Sequence, residues 1–254
     1  MEIYSNFAKI YNEIMEVPYD LWQEYIELIW KNYNFKPKTV LDLACGTGNM
    51  TKRLCDCGYD TIGVDISNDM LAVAKKKDTK SLYLCQDMIE LELYGTVDAI
   101  VCLCDSINYI LEHADLIKTF KLIKNYLNPG GIFIFDINSQ HKYKNILSDN
   151  TFSQVHENYA YIWENMFYDN EQINEYALSL FIKESTTNTY KRHDELHLQK
   201  AYSQESIILA LNKAGLNYIA DFEELKFDKP NDNTERIFFV ASKSILYSKR
   251  LSEK

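Results

Sequence analysis

Continuous apolar runs and helix-spaced apolar residues alternate along the first half of this chain. Uninterrupted apolar runs are typical of strands that are buried on both faces of a sheet. Strands linked by helices of this length predict an α/β fold built on a doubly wound, right-handed parallel sheet. The runs place the predicted strands at residues 40–43, 60–65, 82–85, 97–103 and 132–136.

Helical spacing accounts for most of the segments between these strands. Ser67 is placed to cap one helix, and Gly58 to end another. Residues 128–131, Asn-Pro-Gly-Gly, predict a turn before the fifth strand. The predicted helices are residues 1–35, 49–57, 68–77 and 113–127.

A different pattern follows residue 150. Segments 159–167, 173–183 and 190–201 alternate polar and apolar residues, with turn signals at 169–170 and 187–188. They predict three or four antiparallel strands. A helix at 203–214 and strands at 218–226 and 236–242 then return to the first pattern.

The pattern therefore predicts two units. Residues 1–150 and 203–254 form a Rossmann-like domain, and residues 151–202 form an inserted antiparallel β lid. Ligands of wound sheets bind at the carboxyl edge. We expect the insert to lie at that edge and to bind substrate.

The composition of the chain limits the classes of molecule that it is expected to bind. The chain of 254 residues has a formal net charge of -10 and no basic cluster beyond Lys75-Lys76-Lys77, which argues against nucleic acid. No apolar run approaches the roughly 20 residues of a membrane span, and no leader signal is visible. Six cysteines without metal-ligand spacing predict free thiols and a cytoplasmic protein. We expect a small-molecule substrate and a monomer or homodimer.

Candidate chemistry begins at the first strand, which ends in Asp42-Leu-Ala44-Cys45-Gly46-Thr-Gly48. Bare backbone at the glycines lets a nucleoside approach closely. Asp65 ends the second strand and is placed to accept hydrogen bonds from ribose hydroxyls, although such an acid can also cap a helix. Asp42 would repel a pyrophosphate and attract an ammonium group.

This turn resembles the first motif of class I S-adenosylmethionine-dependent methyltransferases, usually Asp-x-x-x-Gly-x-Gly, with Ala44 where many members carry glycine. The resemblance implies S-adenosyl-L-methionine as cofactor and a seven-stranded Rossmann-like sheet. It implies a methyl transfer to a small molecule. The implied cofactor contacts are Asp42, Ala44, Cys45, Gly46, Gly48, Asp65, Ile66, Met70, Gln86, Asp87, Met88, Leu103 and Cys104.

The first residues are similar to a subset of that family in which an N-terminal segment folds over the cofactor. In this subset a tyrosine bonds the cofactor carboxylate, which implies that role for Tyr11. Asn12 stands where aspartate is commoner. Trp22 would either close the same side of the cofactor or pack on the core.

The third strand of the predicted insert carries a polar face. With period two, His193, Glu195, His197 and Gln199 share it. The face is either solvated or lines a pocket, and a Glu-x-His-x-Gln strand in the same subset favours the pocket. No metal site is expected. His197 and Tyr109 are the candidate catalytic residues.

Two other functions stay open at this point. An NAD-dependent oxidoreductase would need a third glycine where Thr51 stands and would not place Asp42 in the turn. A non-catalytic subunit could bind S-adenosylmethionine without turnover.

Overall fold

The computed structural model describes residues 8, 11–15, 17–184 and 189–243. Its helices are α1 (Tyr11–Ile14), α2 (Tyr19–Asn32), α3 (Asn49–Asp56), α4 (Asn68–Lys77), α5 (His113–Tyr126) and α6 (Gln204–Ala214). Its strands are β1 (Thr39–Leu43), β2 (Asp60–Asp65), β3 (Leu82–Cys85), β4 (Val97–Cys102), β5 (Leu127–Asn138), β6 (Thr151–Val155), β7 (Tyr159–Tyr168), β8 (Ile173–Lys183), β9 (Tyr190–Lys200), β10 (Asn217–Glu223) and β11 (Arg236–Ser242).

Seven strands form the main sheet in the order β10-β11-β5-β4-β1-β2-β3. The strands from β5 to β3 in this order are parallel, whereas β11 is antiparallel to both β5 and β10. The α/β prediction is confirmed. The order reverses direction at β1 and β4, and the crevice at such a point is where ligands bind.

Alternate residues of the central strands pack on opposite faces of the sheet. Leu41 and Leu43 of β1 join a core with α5 and α6, and Val40 joins a second core with α2 and α3. In β5, Phe133 joins the first of these cores and Ile134 joins the second. Both faces are therefore covered, as the apolar runs require.

Several predicted boundaries change. The segment predicted as one helix over residues 1–35 contains two described helices, and residues 1–7, 9–10 and 16 lie outside the described residues. The predicted turn at 128–131 lies inside β5, where pairing with β4 slips from Val97–Leu127 to Ala99–Ile132. A π-helical turn over Lys142–Leu147 had no sequence signal that we recognised.

The inserted segment forms its own sheet, in the order β6-β7-β8-β9. The turn at 169–170 is present, and the signal at 187–188 lies outside the described residues. An apolar face of this sheet, with Tyr161 and Leu180, packs against Ala8 and Met70 and against α1. The insert therefore covers the carboxyl edge of the main sheet. Its action as a lid stays a prediction.

No helix among the described residues is long and apolar enough to cross a lipid bilayer.

Candidate active site

One cavity of about 560 Å³ lies at the carboxyl ends of β1, β2 and β4. The glycine turn and the ends of the central strands form its floor, and α1 and the insert sheet form its roof. It contains fourteen of the seventeen residues predicted for the site; the exceptions are Trp22, Gly48 and His197. The strand order places residues that are far apart in sequence at the same carboxyl edge of the main sheet.

The turn after β1 has an unusual backbone. Ala44 and Gly46 both have positive φ, 60° and 54°. A Cβ placed on Gly46 would meet no atom within 4 Å, because the residue borders the cavity. The bare backbone expected here is present, and it faces the open site.

Gly48 has a different task from the one predicted. It has φ 72° and precedes α3. A Cβ there would lie 2.8 Å from the Tyr83 hydroxyl and 2.9 Å from the Ala74 Cβ. Glycine is therefore required by packing against β3 and α4. These contacts favour a structural role for Gly48 over a direct contact with the cofactor.

Asp65 lies at the end of β2 with both carboxylate oxygens engaged. One accepts a hydrogen bond from Gly46 N and the other from Ser67 N, each at 2.8 Å. Burial raises the pKa of this carboxyl above its usual range. Because a carboxylate oxygen can accept two hydrogen bonds, both oxygens retain capacity for ribose hydroxyls. The capping and ligand roles are compatible.

Asp42 is buried beneath the turn, and Thr51 supports it. The Thr51 hydroxyl donates to Asp42 Oδ2 at 2.5 Å. Burial raises the pKa of Asp42 to about 7, although the hydrogen bonds from Thr51 oppose this shift. The residue that replaces the third glycine of a dinucleotide site therefore holds the acid in place.

The next part of the cavity is apolar and lies between β2 and the segment after β3. Its lining includes Ile66, Met70 and Met88. Asp87 accepts a hydrogen bond from Ile89 N at 3.0 Å, and Gln86 exchanges two amide hydrogen bonds with the backbone of Glu92. Both polar residues border the cavity and also fix the loop that forms its wall.

The backbone is left-handed where β4 ends. Leu103 lines the cavity. The next two residues, Cys104 and Asp105, have φ 59° and 51°. The Tyr19 hydroxyl lies 3.6 Å from Cys104 Sγ, and burial raises the pKa of this thiol. Two consecutive non-glycine residues in this conformation are uncommon, and such strain concentrates at functional sites.

Helix α1 lies over the glycine turn. Asn12 Oδ1 accepts from Thr47 Oγ1 and Asn49 Nδ2, both at 2.7 Å. An amide oxygen therefore suffices where aspartate is commoner. Tyr11 lines the cavity, and burial raises the pKa of its hydroxyl.

Trp22 does not border the cavity. Its ring is 2% exposed and packs edge-on against Phe238 at 5.6 Å between centroids. Its Nε1 donates to Glu224 at 2.8 Å. These contacts favour the packing alternative over the cofactor role for Trp22, because α2 turns this side chain toward β11.

A buried ionic cluster forms the opposite wall. Arg236 at the start of β11 bridges Asp105, at 2.8 Å, and Asp136. Gln199 Nε2 donates to Asp105 at 2.7 Å. Burial raises the pKa of Asp136 to about 6, against the influence of Arg236. We did not predict Arg236 or Asp136; charged residues at the ends of apolar strands were the available signal.

Three members of the polar face of β9 are buried, namely Glu195, His197 and Gln199, which favours the pocket alternative over the solvated one. His193 is half-buried and does not border the cavity. Gln199 borders the cavity, whereas Glu195 and His197 lie behind it. The His197 ring lies between Glu195, at 3.1 Å, and the Tyr109 hydroxyl, at 3.1 Å. Tyr109 borders the cavity, and His197 can reach a ligand only through it. No group of three or more metal-ligating side chains is present in the described part of the chain.

The fold and the cavity together define an α/β protein that binds a nucleoside cofactor at a topological switch point. The chain matches the family described as "Methyltransferase domain" over residues 40–131. A curated relative from Bacillus subtilis (strain 168), named "Putative methyltransferase YqeM", is 36% identical over 250 residues, covering 95% of this chain and 98% of the relative.

Solved structures agree with this match. An S-adenosylmethionine-dependent methyltransferase from Clostridium acetobutylicum ATCC 824 has a TM-score of 0.85 and 36% identity, covering 94% of this chain and 98% of that chain. CalS10 with bound S-adenosylmethionine, an amino pentose methyltransferase from Micromonospora echinaspora, has a TM-score of 0.74 over 94% of this chain and 96% of its own. At 18% identity it shows the fold alone.

This chain belongs to the class I S-adenosylmethionine-dependent methyltransferases, and S-adenosylmethionine is its cofactor. The family expected from the glycine turn is confirmed, and the oxidoreductase alternative is wrong.

Proposed function

We propose that this methyltransferase acts on a small-molecule acceptor, bound between the end of β4 and the insert sheet. The supporting observation is that one cavity continues from the glycine turn to the wall formed by Tyr109, Tyr176 and Gln199. Its volume of about 560 Å³ lies within the range of about 300–1,000 Å³ typical of small-ligand pockets. A cofactor and an acceptor can thus share one cavity.

The residues around the cavity fit the parts of the cofactor. Asp65 offers carboxylate oxygens for ribose, and Ile66, Met70 and Met88 offer an apolar wall for adenine. Asp42, beneath the turn, attracts the positively charged end. Gly46 leaves backbone room. These assignments extend the family membership to particular residues of this chain.

When bound, S-adenosylmethionine supplies a methyl group that is already electrophilic because its sulfur is cationic. The protein has to align an acceptor with that group and exclude water. Orientation of this kind can supply about 7–11 kcal/mol in favourable cases. The roof formed by α1 and the insert sheet covers part of the cavity, and the hydrogen bond from Gln199 to Asp105 anchors the wall on its acceptor side.

A small-molecule acceptor agrees with two further features. The net charge of -10 offers no attraction to nucleic acid. CalS10, which has the same fold, is described as acting on an amino pentose. Localisation in the cytoplasm and a monomeric or homodimeric state remain part of the proposal.

Isotope partitioning tests this function. The protein is incubated with methyl-tritiated S-adenosylmethionine and a cleared cell extract, which is then separated into a low-molecular-weight filtrate, protein and nucleic acid. We expect a labelled product in the filtrate, separated from unreacted cofactor, that requires the added protein and is strongly reduced with Asp65→Asn. Label confined to protein or nucleic acid overturns the small-molecule assignment. Cofactor binding without transfer to any fraction supports the non-catalytic alternative.

A further inference from the structure

Behind the acceptor wall, a line of hydrogen-bonded side chains leads from the cavity into the protein. Tyr109 borders the cavity, and its hydroxyl lies 3.1 Å from His197 Nδ1. His197 Nε2 lies 3.1 Å from Glu195 Oε2. Glu195 is 7% exposed and His197 1%. The line therefore has one end at the ligand site and the other in the interior.

The neighbours of His197 fix its ring. Titratable groups face it from three elements: Glu195 from β9 itself, Tyr176 from β8 and Tyr109 from the segment after β4. Tyr176 is directly opposite His197 across the β8–β9 pairing. Its ring stacks on the imidazole, with centroids 4.6 Å apart and planes at 13°. The Tyr176 and Tyr109 hydroxyls are also hydrogen-bonded.

Donor and acceptor roles follow from chemistry. An ionised carboxylate only accepts, so the contact with Glu195 requires a proton on His197 Nε2. In a neutral imidazole the other nitrogen then accepts, and the Tyr109 hydroxyl must donate to Nδ1. Tyr176 in turn donates to the Tyr109 oxygen. The donors of Tyr109 and His197 consequently both point away from the cavity, which is the direction in which a proton could leave it.

We propose that this line is a proton relay and that the acceptor is a protic nucleophile, a hydroxyl or an ammonium group, whose proton it removes. This inference rests on the proposed methyl transfer and adds the class of acceptor. Tyr109 is the catalytic residue, because it borders the acceptor space. His197 and Glu195 are positioning residues that act through it.

The step balances without another reactant. The acceptor atom forms a bond to the methyl carbon, and the electrons of the broken S–C bond stay on sulfur as a neutral thioether. The proton of the acceptor passes to the Tyr109 oxygen, and the Tyr109 proton passes to His197 Nδ1. An ammonium acceptor has no free electron pair, so it loses this proton before it attacks the methyl group. The resulting imidazolium is stabilised by Glu195. Because His197 is buried, its proton returns through Tyr109 to the cavity after the product leaves, which restores the enzyme. Acceptors without a proton to lose, such as tertiary amines, gain nothing from the relay.

Nuclear magnetic resonance can determine which nitrogen of His197 carries the proton, and the measurement requires no acceptor. The full-length protein is labelled with ¹⁵N-histidine and saturated with S-adenosylhomocysteine near pH 7.5, and His197→Gln identifies the His197 signals. We expect a neutral ring protonated at Nε2. In Glu195→Gln, which preserves shape and removes the charge, we expect the tautomer to change. A ring protonated at Nδ1, or doubly protonated, overturns the relay because Nδ1 could not accept.

Transfer to the small-molecule filtrate supplies the second measurement. Loss of a general acid or base typically costs about 10²–10⁴-fold in rate, so His197→Gln should slow transfer about a hundredfold. Its dissociation constant for S-adenosylhomocysteine should not change. His193→Gln, on the same strand, is the matched control and should transfer at the wild-type rate. Equal rates in His197→Gln and His193→Gln contradict the relay.

Different results would contradict the proposed small-molecule function and the proposed proton relay. Absence of label in the filtrate with wild-type protein counts against the small-molecule function and leaves the resonance test readable. An Nδ1-protonated ring together with normal filtrate labelling counts against the relay alone.

Discussion

Protonation of Asp42 should control how tightly S-adenosylmethionine binds. This carboxyl has a pKa of about 7 in the ligand-free protein because it is buried. About half the molecules therefore carry a neutral Asp42 at neutral pH. In the proposed role of Asp42, its carboxylate attracts the charged end of the cofactor, and binding would then displace the proton. Affinity should consequently rise with pH, and protons should be released on binding.

The size of the effect follows from that pKa. For a group of pKa about 7, the ionised fraction is about 9% at pH 6 and about 76% at pH 7.5. The expected gain in affinity between these two values is therefore about eightfold, or about 1.2 kcal/mol. The window stops at about pH 7.5 because an α-amino group itself titrates near pH 7.7–8.0.

Isothermal titration calorimetry with S-adenosylhomocysteine, which keeps the amino-acid end, measures this dependence in wild type and in Asp42→Asn. The amide retains an oxygen for the Thr51 hydroxyl. We expect the variant to bind more weakly at pH 7.5 and to show little change down to pH 6. The ratio of the two proteins cancels the titration of the ligand and of Asp136, whose pKa is raised to about 6 by burial.

Two results would refute this reasoning. One is the same pH dependence in wild type and Asp42→Asn, which would assign the proton to another group. The other is a wild-type affinity that falls between pH 6 and pH 7.5, which would mean that the neutral carboxyl is the binding form.

Further predictions separate effects on cofactor binding from effects on stability. Asp65→Asn should weaken S-adenosylhomocysteine binding by about 1.5–3 kcal/mol in calorimetry, whereas Asp60→Asn at the exposed start of β2 should not; equal affinities would contradict the ribose role. Gly48→Ala should lower the free energy of unfolding by about 1–3 kcal/mol in urea titrations through the 2.8 Å approach to Tyr83, whereas Gly46→Val should chiefly abolish binding. Trp22→Phe, which loses the hydrogen bond to Glu224, should cost about 1–2 kcal/mol of stability and leave the cofactor dissociation constant unchanged. Ligand-free Asp42→Asn should melt at a higher temperature than wild type near pH 7.5 and lose that advantage toward pH 4, because a carboxyl with a raised folded-state pKa destabilises the fold as pH rises through the shift.

The sequence was most informative where local chemistry determines structure. Strand β2 and helix α4 have the predicted bounds. Ser67 accepts from Met70 N as a helix cap should, at 3.3 Å. The acid, the cap and the first helical turn lie within a few residues of one another, so their mutual geometry is set by neighbours in the chain. The glycine turn and Asp65 could be predicted for the same reason, because their geometry also depends on residues nearby in the chain.

Contacts between residues that are far apart in the sequence could not be predicted from it. Asp136 and Arg236 are 100 residues apart and meet only because β5 pairs with β11. Gly48 fits the motif in spacing, yet its requirement for glycine comes from Tyr83 and Ala74 on other elements. His197 was selected correctly as a member of a polar face, but its distance from the ligand depends on Tyr109 lying in front of it. Spacing along one strand predicts a shared face and not what covers that face.

Two hydrogen bonds in the acceptor wall couple the insert to the cofactor site. Asp105, directly after the left-handed Cys104, accepts from Gln199 of β9 and from Arg236 of β11. Asn108, in the next turn, donates to Lys200 O at 2.8 Å. The contacts of Gln199 and Asn108 attach β9 to the end of β4, where the methyl group must be transferred. Swinging the insert away would break these two hydrogen bonds together, at a cost of about 0.5–1.5 kcal/mol each. The ion pair between Asp105 and Arg236 would remain, because β4 and β11 both belong to the main sheet.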